Sequence, residues 1–156
     1  MTRFRVAVIG SNGFIARHLI ARLQGDASLD VRLFGRSELS SHGSQLPYGQ
    51  IDFNNEAALL KSFEGVDLVY HLVSATIPST SWEDPVLEIE KNLMPFMHLL
   101  KAVVGSGVKK IAFISSAGTV YGATQGKVNE QSDKRPFSPY GIFKRRARFE
   151  RTLPES

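Results

Sequence analysis

The sequence predicts a doubly wound α/β fold, in which strands and helices alternate along the chain and the strands form a parallel sheet. Three observations predict it. Short apolar segments rich in β-branched residues alternate with segments of helical periodicity. The first apolar segment leads directly through a glycine-containing turn into a helix. A length of 156 residues, 42% of them apolar and 22% charged, suits one domain, so we expect residues 1–156 to form a single domain.

The strands are predicted from short apolar runs that end at a glycine or a polar turn. The first, Arg5–Ile9, ends at Gly10 and has the composition of a buried parallel strand. A loop rich in Ser, Gly and Pro is expected over residues 37–49. The remaining strands are expected at Val31–Phe34, around Ile51, at Val66–Val73 and at Ile111–Ile114.

Helices are predicted where apolar residues recur every three or four positions. Pro95 lies inside the third of them and should kink it, because proline has no N–H to donate. The four helices are expected from Phe14 to near Gly25, from Ala57 to Phe63, from Pro85 to about Val104, and from about Pro139 past Phe149.

The composition excludes several classes of protein and site. The chain has no cysteine, so disulfides, thiolate metal sites and a cysteine nucleophile are excluded, and we predict no metal site. No apolar run approaches the roughly 20 residues that span a bilayer. The apolar stretch near the N-terminus is too short for a secretory signal. We therefore expect a cytoplasmic protein that does not enter a membrane.

The net charge of +4 arises from one C-terminal segment. Seven of the 19 basic residues lie between Lys134 and Arg151, with Glu150 as the one acid among them. A nucleic-acid-binding face needs groove-reading or base-stacking residues between its positive charges, and this segment offers only Phe143 and Phe149. We expect a solvated or partner-facing helix surface and no nucleic-acid partner.

A candidate phosphate-binding loop follows the first strand. Gly10 allows a tight turn, and Gly13 lets backbone N–H groups approach a pyrophosphate at the positive end of the helix dipole. A strand before the loop and a helix after it are the context that this motif requires. The loop predicts a dinucleotide site, the alternative being an empty structural turn. Its residues are Gly10, Ser11, Asn12, Gly13, Phe14 and Ile15, with Ala16 where a third glycine often lies.

The end of the second predicted strand bears on the choice of dinucleotide. A carboxylate that binds the adenosine ribose hydroxyls is usual at this point, whereas this chain has Gly35 followed by Arg36. Arg36 can pair with a 2′-phosphate, or it can be a solvated loop residue. NAD and NADP are both candidates.

Tyr140 and Lys144 lie four residues apart on the last predicted helix, hence on one face of it. A free tyrosine is a poor base at neutral pH, but a cation one helical turn away favours the phenolate. Such a pair can remove a proton from a sugar hydroxyl while hydride leaves the same carbon for a nicotinamide.

Together these segments resemble the extended short-chain dehydrogenase/reductase family, in particular its nucleotide-sugar epimerase/dehydratase group, which UDP-glucose 4-epimerase exemplifies. The resemblance spans nearly the whole chain in family order and implies a Rossmann-type NAD(P)-binding fold. The matching segments are residues 10–16, 51–53, 71–76, Asn92 in the long helix, 113–122 and 138–144.

The resemblance also implies roles for individual residues. Asp52 would hydrogen-bond the adenine amino group, with the backbone of Phe53 beside it. Tyr140 would be the catalytic acid/base, and Lys144 would bind the nicotinamide-ribose hydroxyls and favour the tyrosinate. Judged without the family, Asp52 is a strand-end cap and residues 72–73 belong to the core. The other cofactor-binding residues that the family implies are Leu72, Val73, Ser74 and Asn92.

The sequence departs from the family pattern in two respects. The family's catalytic serine or threonine usually lies four residues before the tyrosine now found at Tyr121, and that position is Ala117. Ser116 or Thr119 is the candidate to supply the missing hydroxyl, the alternative being a structural hydroxyl. Family members are also about twice as long, so we expect a chain truncated before the C-terminal substrate lobe that still binds NAD or NADP.

The predicted function is NAD(P)-dependent epimerisation or dehydration of a nucleotide sugar, or the cofactor-binding portion of such an enzyme. The alternatives are a non-catalytic NAD(P)-binding module for redox sensing or partner binding, and a simple NADP-dependent reductase. The family implies a homodimer through the helices near 85–104 and 139–151. Apolar residues that either make that contact or face this chain's own sheet are Leu93, Phe96, Met97 and Leu100.

Overall fold

The computed structural model describes residues 3–38, 40 and 43–147 and contains one parallel sheet of five strands. The strands are β1 Phe4–Ile9, β2 Leu29–Gly35, β3 Tyr48–Gln50, β4 Leu68–His71 and β5 Lys110–Phe113. Their spatial order is β3-β2-β1-β4-β5. Because β1 pairs with both β2 and β4, the strand order reverses beside β1. This is the order of a Rossmann-type doubly wound sheet, which confirms the predicted fold class.

Helical segments connect and follow the strands. Three of them begin at a residue whose side chain accepts a hydrogen bond from the first turn, namely Asn55, Asp84 and Ser138. In the part of the chain that is described, the segments are α1 Phe14–Leu23, α2 Glu56–Ser62, α3 Pro85–Glu88, a π-helical turn Ile89–Leu93, α4 Met94–Gly105, α5 Ala117–Val120 and α6 Pro139–Arg146.

Apolar packing covers both faces of the sheet, because successive side chains of a strand point to opposite faces. On one face, Val8 of β1 and Leu33 of β2 join a buried cluster with Ile20 of α1. The next residue of β2, Phe34, points the other way and meets the ring of Phe63 edge-on, with centroids 6.1 Å apart. The glycine turn between β1 and α1 is therefore held by a buried strand and a docked helix.

The long helix predicted over Pro85–Val104 is interrupted. The N–H of Met94 donates to the carbonyl of Ile89, five residues back, and closes the π-helical turn. Pro95 follows at once and has no N–H for the carbonyl of Lys91, which removes one bond of a regular α-helical ladder at this point. The predicted perturbation near Pro95 is thus present as a wider turn before the proline.

Several predicted boundaries differ from the observed ones. Ile51 follows the third strand and is not within it, and the first two residues of that strand, Tyr48 and Gly49, lie in the segment expected to be loop. The short helix α5 was not predicted, because its four residues show no apolar periodicity. The last helix is described to Arg146, and the predicted continuation past Phe149 lies outside the described residues.

The described residues form two compact units. One comprises residues 3–73 and 97–113 without the undescribed positions, and it contains the whole sheet. The other comprises residues 74–96 and 114–147, where the rings of Phe96 and Phe143 meet edge-on at 6.1 Å. The single domain expected over residues 1–156 stays a prediction.

Within the described residues, no helix has the length and apolar content needed to cross a membrane.

Candidate functional site

The predicted phosphate loop is a tight turn whose geometry requires Gly10. Its φ is +80°, in the left-handed region that favours glycine. A Cβ at Gly10 would also lie 3.0 Å from Cγ2 of Val73 and 3.1 Å from the carbonyl carbon of Leu72. The N–H groups of Gly10 and Ser11 both donate to the carbonyl of Phe34, at 2.9 and 3.0 Å, which fixes the turn against β2.

The start of α1 presents backbone donors. The N–H of Gly13 donates to the carbonyl of Gly10 at 3.0 Å, and no side chain caps the helix. Among the described residues, no protein acceptor takes the N–H groups of Phe14, Ile15 or Ala16. Three adjacent donors at the positive end of a ten-residue helix suit an anion such as a diphosphate. The loop therefore fits the phosphates of a dinucleotide, whereas a methyl group at Gly10 would fill the turn.

The carboxyl end of β2 is shaped by a residue that the sequence analysis did not select. Tyr48 donates a hydrogen bond of 2.7 Å from its hydroxyl to the carbonyl of Ser37 and accepts one of 3.5 Å from Nδ2 of Asn12. Arg36 is exposed, and its carbonyl accepts a hydrogen bond of 2.9 Å from Gln50. Tyr48 thus connects the phosphate loop to the segment that carries Arg36. The sequence did not indicate this role, because Tyr48 lies in the stretch rich in Ser, Gly and Pro that was expected to be loop.

Asp52 and Phe53 follow β3. Asp52 is exposed, and its Oδ1 accepts a hydrogen bond of 2.9 Å from the N–H of Asn54. Phe53 is buried, and its carbonyl lies 2.8 Å from Nδ1 of His98. One carboxylate oxygen of Asp52 is therefore occupied in capping the chain, as its interpretation without the family predicts.

The tyrosine and lysine of α6 form one pair in the second unit. Lys144 is 3% exposed, its Nζ donates a hydrogen bond of 3.0 Å to the carbonyl of Ile114, and it lies 5.4 Å from the centroid of the Tyr140 ring. Tyr140 itself is half-buried. Burial lowers the pKa of Lys144 to about 8, and the negative charge of Glu88 opposes part of that fall. A buried cation thus stands beside a reachable phenol.

Gly141, between these two residues, allows α6 to lie directly on α5. A Cβ at this position would be 2.7 Å from the carbonyl oxygen of Thr119. Ser138, fully buried, fixes the start of α6 by accepting a 3.1 Å hydrogen bond from the N–H of Gly141. The tyrosine–lysine helix and the candidate hydroxyl residues consequently belong to one packed pair of helices.

The two candidate hydroxyls differ in their surroundings. Thr119 is buried, and its Oγ1 donates a hydrogen bond of 3.2 Å to the carbonyl of Ser116. Ser116 is half-buried, and its side chain makes no hydrogen bond that caps α5. Ala117 is exposed and carries no hydroxyl. The structure places Thr119 against α6 and Ser116 at the start of α5, and it leaves Ser116 the more accessible of the two hydroxyls.

The sequence analysis selected Asn92 but did not predict the buried polar cluster around it. Asn92 donates hydrogen bonds to Thr76 and Glu88 at 2.8 and 2.9 Å, and its Oδ1 accepts one of 2.8 Å from the N–H of Ala75. Ser74 is exposed, and its hydroxyl donates to the carbonyl of Thr76. Both N–H groups of the Asn92 amide are thereby occupied. The sequence offered one signal for Glu88. It lies four residues before Asn92, one helical turn away, in the helix that begins at the capping pair Asp84–Pro85.

Comparisons with known proteins agree with this geometry. A model of the NAD dependent epimerase/dehydratase family matches residues 6–148. An uncharacterised UDP-glucose epimerase of Bacillus subtilis is 30% identical over 90% of this chain and 48% of its own length.

Among solved structures, UDP-glucose 4-epimerase of Thermus thermophilus in complex with NAD has a TM-score of 0.81 and 29% identity, over 92% of this chain and 48% of that one. The enzyme of Bifidobacterium longum in complex with NAD+ and UDP has a TM-score of 0.81 and 29% identity, over 92% of this chain and 46% of that one. This chain spans about half the length of the relatives that it matches. The family match covers most of the sequence, and the chain belongs to the NAD dependent epimerase/dehydratase family.

Proposed function

We propose that this chain is the cofactor-binding part of an NAD(P)-dependent nucleotide-sugar epimerase or dehydratase. The observation that carries the proposal is the buried ammonium of Lys144 beside the ring of Tyr140, a pairing that suits proton transfer to and from a sugar hydroxyl. The solved relatives named above contain NAD, and one also contains UDP. A pyridine dinucleotide and a sugar linked to a nucleoside diphosphate follow as cofactor and substrate class.

The first step of the proposal is dinucleotide binding at the loop of residues 10–15. The N–H groups of Phe14, Ile15 and Ala16 would donate to the diphosphate, and Gly10 keeps the turn open for it. Asp52 has one carboxylate oxygen left for an adenine amino group. Leu72 and Val73, half-buried directly after β4, would line the bound cofactor. Ser74 is assigned to the same path as an exposed hydroxyl.

The cofactor is NAD or NADP, and Arg36 is the residue that determines the preference between them. Its side chain is exposed at the end of β2, and β2 ends in glycine where a ribose-binding carboxylate is usual. A guanidinium at this point favours a 2′-phosphate by charge-assisted hydrogen bonds. Calorimetric titration with each dinucleotide measures the preference. Arg36→Ala should weaken NADP binding and leave NAD binding unchanged if Arg36 contacts the 2′-phosphate.

The second step is proton transfer at the sugar. When bound, the nicotinamide supplies the acceptor and the donor of hydride. Tyr140 takes the proton of the hydroxyl that is oxidised and returns it when the sugar is reduced. Lys144 stabilises the phenolate by its charge and is held in place by the carbonyl of Ile114. Ser116 supplies the hydrogen bond that Ala117 cannot, because the hydroxyl of Thr119 is buried and already donates to a carbonyl.

Asn92 has an indirect part in this scheme. Its amide binds the backbone of Ala75 and the side chain of Thr76, so it shapes the segment that follows β4. We assign it to the cofactor site as the residue that orders this segment.

We also propose a homodimer. The helical segments over residues 85–105 expose Val86, Ile89 and Met97, and α6 exposes Ile142, each 45–58% accessible. Phe96, which the sequence offered for the same contact, is buried within its own unit. Light scattering measures the state directly, and a monomer at all concentrations would remove this part of the proposal. The expected cytoplasmic location rests on the sequence alone and stays a prediction.

The function is tested by measuring dinucleotide binding and UDP-sugar turnover on the same preparation. Tyr140→Phe should abolish turnover of UDP-glucose and leave the Kd for NAD nearly unchanged. Tyr70→Phe is the matched control, because it removes a phenolic hydroxyl from β4 in the other unit and should change neither quantity. A wild-type chain that binds NAD but turns over no UDP-sugar would support the non-catalytic module instead. A chain that consumes NADPH with a simple carbonyl compound would support the reductase.

A further inference from the structure

Gly35, the last residue of β2, lies in contact with the phenol of Tyr48. A Cβ at Gly35 would be 2.5 Å from the hydroxyl oxygen of Tyr48 and 3.3 Å from Cζ of its ring, so the two groups cannot share this space. A carboxylate that binds the adenosine ribose is usual at the end of this strand. The phenol of Tyr48 therefore occupies the space that a side chain at the last position of β2 would need.

Two side chains of β3 hold the backbone that continues from β2. The hydroxyl of Tyr48 donates a hydrogen bond of 2.7 Å to the carbonyl of Ser37, and Nε2 of Gln50 donates one of 2.9 Å to the carbonyl of Arg36. The carbonyl before them, that of Gly35, accepts a hydrogen bond of 2.9 Å from a backbone N–H. Three successive carbonyls are thus fixed, while the side chain of Arg36 is exposed.

The same phenol also reaches the phosphate loop. Its oxygen accepts a hydrogen bond of 3.5 Å from Nδ2 of Asn12, in keeping with a tyrosine hydroxyl that donates one bond and accepts another. In a dinucleotide site of this kind, the diphosphate lies at the glycine loop and the adenosine ribose at the end of the second strand. Tyr48 contacts both of these places, so it can set the distance between the diphosphate donors and the guanidinium of Arg36.

We propose that Tyr48 and Gln50 are positioning residues for Arg36, through which they raise the affinity for NADP relative to NAD. This inference rests on the proposed function, because it needs a dinucleotide at the loop. A long side chain loses conformational entropy when it pairs with a phosphate, and that loss is smaller when its backbone is already fixed. The phenol is also a neutral group, whereas the usual carboxylate would repel a 2′-phosphate.

The test is calorimetric titration with NAD and NADP separately. Tyr48→Phe keeps the ring and removes the hydroxyl, and it should weaken NADP binding about fivefold more than NAD binding, the scale of one lost neutral hydrogen bond. Gln50→Ala, at an exposed position, should act in the same direction. Tyr70→Phe is the matched control, because it removes a phenolic hydroxyl from β4 of the same unit and should leave both affinities unchanged.

The double variant Arg36→Ala/Tyr48→Phe shows whether Tyr48 acts through Arg36. A positioning residue has no selective effect once the residue that it positions is gone, so in the Arg36→Ala background Tyr48→Phe should weaken both dinucleotides equally. An NADP-selective loss that persists in this background would overturn the proposal. Equal weakening of NAD and NADP by Tyr48→Phe alone would also overturn it. Should Tyr48→Phe not fold, Gln50→Ala decides by the same comparison.

A second measurement needs no dinucleotide. In Tyr48→Phe, but not in Tyr70→Phe, ¹⁵N relaxation of the amides of residues 36–37 should show increased motion on the ps–ns timescale. Unchanged relaxation would overturn the anchoring of this segment. A wild-type chain that binds neither dinucleotide would refute the proposed function and this specificity with it. A chain that binds both, with the same ratio of affinities in wild type, Tyr48→Phe and Gln50→Ala, would refute the present inference alone.

Discussion

The ammonium of Lys144 donates a hydrogen bond of 3.0 Å to the carbonyl of Ile114, the residue that follows β5 in the chain. A carbonyl oxygen is a neutral acceptor, so this bond orients the lysine without cancelling its charge. The charge remains available to the neighbouring phenol of Tyr140. Burial of this ammonium lowers the free energy of unfolding, because the charged group loses its hydration.

The first prediction concerns stability and pH. The pKa of Lys144 is lowered from 10.5 to about 8 on folding, so the unfolded chain binds this proton more tightly than the native one. Below pH 8 both states are protonated and the full cost is present, of order 3 kcal/mol. Between pH 8 and 10.5 the native state loses the proton and the cost declines. Lys144→Met should therefore be more stable than wild type at pH 7, and the difference should shrink towards pH 10.5.

Urea unfolding at several pH values measures that difference. Lys127→Met, at an exposed position of the same unit, is the control and should show little change with pH. A difference that stays constant from pH 7 to 10.5 would contradict the assignment of the cost to a buried ammonium.

The second prediction concerns the glycine turn. Gly10→Ala places a methyl group 3.0 Å from Val73 in a backbone of positive φ, and it should cost about 1–3 kcal/mol of stability. It should also abolish NAD binding, because the turn would lose its shape where the diphosphate is expected. Calorimetry and urea unfolding report the two effects. Gly126→Ala is the control, since a Cβ there meets open space, and unchanged NAD affinity in Gly10→Ala would refute the assigned site.

The third prediction concerns the contact of α5 with α6. Alanine is normally better than glycine inside a helix, yet Gly141→Ala would bring a Cβ to 2.7 Å from the carbonyl of Thr119. We expect a loss of about 1–3 kcal/mol, the usual range for overpacking. Gly118→Ala adds the same methyl group to α5 in open space and should leave the melting temperature unchanged or slightly higher. Equal melting temperatures for the two variants would mean that the helices do not pack this closely.

The fourth prediction separates the two hydroxyl candidates. Ser116→Ala should lower kcat for UDP-sugar turnover about a hundredfold, the scale of one lost hydrogen-bond donor to a reacting oxygen. Thr119→Val removes a hydroxyl that already donates to the carbonyl of Ser116, so it should lower stability with a smaller effect on kcat. The reverse ranking of the two kcat values would assign the role to Thr119.

Much of the fold could be predicted because its signals are local. The apolar runs around Val8 and Leu33 follow from burial on both faces of a parallel sheet, and Gly10 follows from the turn that must come next. The tyrosine–lysine pair was visible because helical spacing alone puts Tyr140 and Lys144 on one face.

The remaining features depend on contacts between distant residues. Glu88 stands near a helix start, where acids are ordinarily solvated and favourable to the dipole, so its burial follows only from Thr76 and Asn92 meeting it. Tyr48 lies in a polar stretch and acquires its role from Asn12, 36 residues earlier. The alternation of strands and helices predicted the parallel sheet, but these side-chain networks could not be predicted from the sequence.

The absence of a side chain at Gly141 has a consequence for how the proposed enzyme could vary. The backbone of α6 lies directly against the carbonyl of Thr119, so the spacing between α6, which carries Tyr140, and α5 is set by backbone contact. Under the proposed function, residues elsewhere that contact the sugar could change in evolution without altering this spacing.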